Sequence, residues 1–338
     1  MQKIIKNIQV PTGNICVMQG MLGELELLSI GDYGKDANIK ADFLGITREL
    51  NGVPSGEIMP LSEKWVVTIS TQYGCSMGCK FCDVPKVGAG RNATVIDLKN
   101  QVVNALSLHK DIKSGKRLNV HYARMGEPTF NPDVLTNAYD LKNICADIRV
   151  CFDVIHPVIS TMMPRGNASL KEFLDEWIHL KNCWYNGSAG LQLSINSTDE
   201  AQRQAMFNGN AMTLERISAM FTDLPAPKGR KYALNFALAD EYIVDAKKLA
   251  HLFDPDWFMC KITPLHVTAA CEQNDIKTTG GYESFTPYKK VEDDLKAAGF
   301  DVLVFVPSLD EDLGMITCGN AILSGKMPQV DYTEIYGK

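Results

Sequence analysis

Cys75-Ser76-Met77-Gly78-Cys79-Lys80-Phe81-Cys82 sets three cysteines at C-x3-C-x2-C spacing, just after the apolar run from Trp65 to Ser70. Three thiolates on one short loop can hold three irons of a four-iron cluster, leaving the fourth iron without a protein ligand. An open iron is a place for chemistry, because what fills that position governs ligand exchange and potential. Other readings of these cysteines fare worse. Zinc usually takes four ligands in paired C-x2-C or C-x2-H form, and the loop offers only Asp83 as a fourth. Disulfide frameworks belong to short secreted chains, whereas this one has 338 residues and shows no apolar signal segment after Met1. An ordinary core has no use for three thiols at this spacing.

Composition bounds the rest. The length suits one large α/β domain or two smaller ones. A hydrophobic content of 45% is ordinary for a globular chain with a sizeable core. No apolar stretch approaches the ~20 residues that span a bilayer, so no membrane role is expected. Ten cysteines without a secretory signal point to a reducing, cytoplasmic compartment where thiols stay free for metals. The formal net charge of −6 gives no global electrostatic footprint for nucleic acid.

From residue 65 onward, short apolar strands alternate with amphipathic helices. Strands are expected at Val66–Ser70, Leu118–Tyr122, Val154–Ser160, Leu191–Ile195, Tyr232–Ala237, Trp257–Ile262 and Val302–Val306. Helices are expected at Val95–Leu106, Pro132–Asp147, Ser169–Leu180, Thr213–Phe221, Ala246–Phe253 and Tyr288–Ala298. This alternation argues for a parallel sheet with crossover helices, here a partial (β/α)6 TIM-type barrel over residues 65–308. Barrel chemistry sits on loops at the C-terminal ends of strands, and the cysteine loop obeys that rule. Residues 1–64 read as a small β-rich cap, with Ile15–Met18, Glu24–Leu28 and Phe43–Thr47 as strands between Gly- and Asp-rich turns. Residues 309–338 form a glycine-flexed tail that carries Cys318 and is expected to close over the active site.

The cysteine spacing, with Phe81 before the last ligand, resembles the signature of radical S-adenosylmethionine (SAM) enzymes. Further segments resemble the RlmN and Cfr RNA methyltransferases of that superfamily. Ser70-Thr-Gln-Tyr-Gly-Cys75 is similar to their S-x-Q-x-G-C, and Gly88-Ala-Gly-Arg91-Asn92 to G-F-x-R-N. Met125-Gly126-Glu127-Pro128 matches M-G-E-P and is followed by Phe130-Asn131. Leu193-Ser194-Ile195-Asn196, Lys261 to His266, and Thr317-Cys318-Gly319-Asn320 stand where the family has L-S-L-H, N-L-I-P-x-N and A-C-G-Q. The resemblance runs in order from about residue 55 to 323. It implies a [4Fe-4S] cluster on Cys75, Cys79 and Cys82 that chelates SAM and cleaves it to a 5′-deoxyadenosyl radical. It further implies SAM contacts from Gly126, Glu127, Ser160, Ser194, Asn196 and His266, and an electron donor such as flavodoxin or ferredoxin. In the family the cysteine matching Cys318 is first methylated, and its methyl then passes as a radical to an adenine carbon of RNA (tRNA or rRNA). Such a ring carbon is electrophilic, so ordinary attack on a sulfonium fails there.

Bland readings accompany each residue. Glu127 next to Pro128 could be a helix N-terminal charge. Ser160, Ser194 and Asn196 are also plain turn residues. His266 could be a satisfied histidine, and Cys318 a small hydrophobe. Departures matter as much. The family's resolving cysteine, seven residues before the first cluster ligand, is Thr68 here, and an unactivated hydroxyl is a poor nucleophile. The family's proton acceptor falls on Ser55, with Glu57 nearby as a substitute. A helical RNA-gripping domain is missing, although Arg91, Lys80, Lys86 and Arg124 could form a local positive rim. Two enzyme readings remain: methyl transfer to RNA or a nucleotide through methyl-Cys318, or another radical reaction in which Cys318 donates hydrogen or serves a different covalent step. A non-catalytic cluster protein is the third, and the cluster motif, M-G-E-P and Cys318 together argue against it.

Overall fold

A computed structural model of the chain describes residues 2–31, 60–279, 286–307 and 309–335. The strands are β1 (Ile4–Val10), β2 (Gly13–Gln19), β3 (Glu24–Ile30), β4 (Trp65–Ile69), β5 (Gln72–Gly74), β6 (Ala89–Asn92), β7 (Ser114–Tyr122), β8 (Cys151–Thr161), β9 (Gly190–Ser194), β10 (Tyr232–Leu238), β11 (Phe258–Pro264), β12 (Asp301–Val304) and β13 (Thr333–Ile335). The helices are α1 (Val95–Ser107), α2 (Asp133–Asp147), α3 (Leu170–His179), α4 (Glu200–Met206), α5 (Leu214–Phe221), α6 (Ala246–Leu252), α7 (Ala269–Gln273), α8 (Thr286–Ala297) and α9 (Leu309–Leu313).

One sheet of 11 strands runs in the order β12-β11-β10-β9-β8-β7-β4-β3-β2-β1-β13. From β4 to β12 every pairing is parallel and follows chain order, apart from the separate β5–β6 hairpin. That is the strand–helix barrel the alternation calls for, with seven parallel strands where a six-fold count gives six. Helix starts are set locally. Thr94 and Asp97 form a reciprocal capping box on α1, and Asp199, Thr213, Asp245 and Thr268 cap α4, α5, α6 and α7 through their side-chain oxygens. No described helix is long and apolar enough to cross a membrane.

The N-terminal strands do not stand apart from this sheet. They extend it as an antiparallel meander, β3 pairing with β4 at Leu28–Thr68 and Ile30–Val66. Alternation along them buries both faces. Cys16, Met18, Leu25 and Leu27 face the main core with α1, whereas Ile15, Val17, Leu28 and Ile30 face a second core built with Met315, Ile316 and Ile322 of the tail. The tail then adds β13 to the outer edge of β1. The expected strand Phe43–Thr47, together with Ser55 and Glu57, lies outside the described residues.

Candidate active site

The C-terminal ends of the parallel strands converge on one cleft, about 770 Å³ when the open solvent at its mouth is included. Its lining includes Cys75, Cys79 and Cys82 from the loop after β4, Arg124, Gly126 and Glu127 after β7, Ser160 of β8, Ser194 of β9, His266 after β11, and Cys318 of the tail. Nine of the eleven residues singled out from sequence therefore share a wall. Asn196 does not reach it. It is buried in a left-handed turn (φ 58°), and its Oδ1 accepts from the Ala237 amide at 3.1 Å, tying the end of β9 to β10. Glu57 lies outside the described residues.

The cysteine loop is held from several sides. The Cys75 amide donates to Gly88 O (3.0 Å) and the Lys80 amide to Met206 O (2.9 Å), while Asn210 Nδ2 donates to Met77 O (2.9 Å). The motif-like segments around it bond to one another. Gln72 Nε2 reaches Gly90 O (2.9 Å) and Asn92 Oδ1 (2.8 Å) across the β5–β6 hairpin, and its Oε1 accepts from the Glu127 amide at 2.9 Å. Asn131 Nδ2 donates to Thr71 O and Ala93 O, both at 2.8 Å. Gly126 has φ +94°, and a Cβ there would sit 2.5 Å from Gln72 Cβ and 2.9 Å from Gln72 N, so only glycine fits.

Burial pushes all three thiols up. Cys75 rises to about 11 and Cys82 to about 12, and Cys79 is raised well above its ordinary value, mainly by burial, with the neighbouring Cys82 and Cys75 adding to it. Neutral thiols of this kind give up protons when a metal binds. Among the described residues no three His, Cys, Asp or Glu side chains close on a single-ion centre. Three thiols lining one cleft are the donor set that a four-iron cluster takes. Asp83 is not spare as a fourth ligand. It is fully buried, and its carboxylate accepts from the Ala270 amide (2.8 Å), the Ala269 amide (3.1 Å) and Lys86 Nζ (3.2 Å). Around the thiols lies an apolar jacket of Met77, Met162, Met206 and Phe207, with Cys79 Sγ 3.7 Å from Met162 Sδ. Met162 and Phe207 of the cleft lining carry no motif that marks them in the sequence. Met162 stands just beyond the end of β8, and that strand-end position was the available signal.

Glu127 is buried, and its carboxylate accepts from Thr129 N (3.1 Å), Thr129 Oγ1 (2.8 Å) and Met162 N (3.0 Å). Burial raises its pKa despite those bonds, so a cation arriving in the cleft would favour the carboxylate. His266 Nδ1 lies 3.4 Å from Asp312 Oδ1. Burial works against the Asp312 carboxylate, but hydrogen bonds from His266, Thr317 and Val267 hold it below the usual range.

Cys318 is exposed and lines the cleft. Its neighbour Gly319 (φ +89°) packs its Cα side 3.3 Å from Phe81 O, measured from where a Cβ would be, and the Asp83 amide donates to Gly319 O at 2.8 Å. The tail thus docks on the cysteine loop itself. Thr68 is buried within β4, paired with Leu28 and His121, and is not part of the cleft lining. The positive rim is smaller than the sequence suggested. Arg124 is buried against Glu26 and Lys86 pairs with Asp83, leaving the exposed Arg91 and Lys80.

Comparisons with known proteins agree with this architecture. No protein-family model matches the chain. It is 45% identical over 80 residues to a dual-specificity RNA methyltransferase RlmN of Aliarcobacter butzleri, covering 24% of this chain and 22% of that protein. It is 28% identical over 196 residues to RlmN of Nautilia profundicola (56% of this chain, 51% of that one) and 25% identical over 199 residues to RlmN of Campylobacter lari (56% and 51%). At most about half the length of these curated relatives is spanned. In three dimensions it is similar to a radical SAM methyltransferase from Sphaerobacter thermophilus, with a TM-score of 0.54 and 18% identity, covering 90% of this chain and 76% of that one. That likeness is one of fold.

Proposed function

We propose that this chain, a divergent relative of the RlmN/Cfr-like radical SAM methyltransferases, is itself a radical SAM methyltransferase acting on an adenine carbon of RNA or a nucleotide through Cys318. The observation that carries the reading is that Cys75, Cys79, Cys82, Glu127 and Cys318 line one cleft, although they lie up to 243 positions apart (318 − 75). Cys75, Cys79 and Cys82 would hold a [4Fe-4S] cluster, which when bound supplies the electron that splits the SAM sulfonium. Glu127 offers an acceptor lone pair for the SAM ammonium, and Ser160 and Ser194 offer hydroxyls at strand ends. Met77, Met162 and Phe207 give the cleft around the thiols an apolar lining. Cys318, exposed beside the cysteine loop, is placed to accept a methyl group, losing its thiol proton, and to present that carbon to a substrate.

The test is intact-mass and peptide mass spectrometry of anaerobically reconstituted protein incubated with SAM and dithionite. The reading expects 5′-deoxyadenosine together with a methyl group on Cys318, and Cys318→Ala should keep the first and lose the second. A bare thiol in every preparation refutes the relay. Absence of 5′-deoxyadenosine above background refutes the radical chemistry. Thr68 favours one alternative. With no thiol lining the cleft among the described residues beyond Cys318 and the three given to iron, Cys318 would instead donate a hydrogen atom to a substrate radical, and Cys318→Ala would then stall product formation with no methylated protein ever seen.

A further inference from the structure

The N-terminal strands bring an acidic side chain up behind Arg124 of the cleft lining. Glu26, on β3, is fully buried and forms an ion pair with Arg124, whose side chain is only 2% exposed. One carboxylate oxygen accepts from Arg124 Nε at 2.7 Å and from Nη2, while the other accepts from the Leu323 amide at 3.1 Å. Arg124 spends its remaining arm on the tail, Nη1 donating to Thr317 O at 3.3 Å. Its own amide donates to Ile69 O at 3.1 Å, fixing it at the mouth of β4 and β7.

Thr317 and Leu323 bracket Cys318 on both sides. One ion pair therefore holds both ends of the segment that carries the exposed thiol, and the same arginine sits two residues before Gly126 and three before Glu127. A guanidinium suits this task because its planar fork can serve a carboxylate and a carbonyl at once. A buried pair of this kind is weak evidence for stability, since well-packed apolar side chains often replace it at no loss. Its contacts are better explained by placement. We propose that Glu26 and Arg124 are positioning residues that set Cys318 against the cysteine loop, and that fusing β3 onto the barrel sheet serves to deliver Glu26 to this point. The inference rests on Cys318 being the reacting thiol, but its test does not need turnover.

Two variants decide it, both as reconstituted holoprotein under anaerobic conditions. Glu26→Leu/Arg124→Met removes both charges and keeps apolar bulk. Arg124→Lys keeps a charge pair with Glu26 but gives up the second arm to Thr317. Peptide-resolved alkylation of Cys318 by iodoacetamide and amide hydrogen exchange over residues 317–325 are measured against native protein. The double variant should show a cooperative thermal transition, native iron content, and Cys318 alkylation and segment exchange faster by about tenfold or more. Arg124→Lys should loosen the segment near Thr317 more than near Leu323, and it carries the test alone if the double variant fails to fold. Native alkylation and exchange rates in a folded variant would overturn the positioning role. Native protein whose Cys318 is never methylated would overturn the relay while leaving these rates to judge the pair.

Discussion

Replacing Asp83 with alanine separates a capping residue from a metal ligand. Asp83 stands beside Cys82 and is the nearest carboxylate to the thiols along the chain. If it ligated metal, Asp83→Ala would strip iron. The structure instead shows it holding the start of α7 through the Ala269 and Ala270 amides, with Lys86 as a partly exposed third partner. Loss of the carboxylate leaves those two N–H groups without an acceptor, at ~1–3 kcal/mol each where water cannot replace it. The Lys86 pair adds little, because its cation is solvated. Partial access of water at Ala269 puts the total near 2–4 kcal/mol. Unfolding entropy of ~2.1 cal/mol/K per residue over 338 residues converts this to a fall in Tm of roughly 3–6 °C. The assays are scanning calorimetry and iron and sulfide analysis on the same reconstituted samples. Asp83→Ala should lose the stated few degrees yet retain about four irons per chain. Iron falling to a small fraction of native in a folded sample would refute the capping argument, and so would an unchanged Tm.

Other expectations follow from the same geometry. Alanine at Cys75, Cys79 or Cys82 should each abolish iron retention and 5′-deoxyadenosine formation, read by metal analysis and chromatography; a variant that keeps both removes that thiol from the ligand set. His156 is pushed down to about 4 from 6.5 by burial and by Arg117. The unfolded chain therefore binds the extra proton between pH 6.5 and 4, and about 3 kcal/mol of stability present above pH 6.5 is lost as pH falls through that window. His156→Gln, which can still donate to Ser188 O, should flatten the pH dependence of the urea midpoint there; an unchanged slope would show that His156 is not its source. Thr68→Cys should fold normally and leave the product unchanged, since position 68 is buried and not part of the cleft lining; a new product by mass spectrometry would show that it takes part.

The sequence was most readable where a residue's partners are close along the chain. The expected strand Tyr232–Ala237 is the observed Tyr232–Leu238, and the helix expected at Val95–Leu106 is Val95–Ser107, because period and Thr94 capping are local signals. Cleft residues were legible from short local motifs, the C-x3-C-x2-C spacing and the segments resembling the RlmN and Cfr enzymes, such as Met125 to Pro128 and Thr317 to Asn320. What stayed hidden depends on distant partners. Ile4–Val10 was passed over as a strand although it alternates, and its edge is covered by β13 from the other end of the chain. Asn196 read as a ligand contact, but it stands outside the cleft lining and its Oδ1 accepts from the Ala237 amide of a neighbouring strand. Arg124 read as part of a phosphate-binding rim until Glu26, 98 residues away, accounted for its charge.

The inventory of thiols in the cleft sharpens the choice between the two catalytic readings. Of ten cysteines, those lining the cleft among the described residues are Cys75, Cys79, Cys82 and Cys318. Three are assigned to iron, so Cys318 has no sulfur partner there to release a carbon once it has bonded to a substrate. A hydroxyl at position 68 cannot substitute, being weakly nucleophilic, buried and not part of the cleft lining. His266, oriented by Asp312, can accept a proton from an adduct but cannot take over the carbon–sulfur bond. Under the methyl relay the chain should therefore stop after one addition, covalently joined to its substrate at Cys318, unless a thiol from outside the cleft completes the cycle. Under hydrogen donation no such species forms, because Cys318 never bonds to carbon. Denaturing mass analysis of reduced holoprotein with SAM and adenine-containing RNA, with and without added dithiothreitol, distinguishes the two. A Cys318–nucleotide adduct that builds up to one per chain supports the relay and names its substrate, whereas product released with no adduct and no methyl-Cys318 supports hydrogen donation.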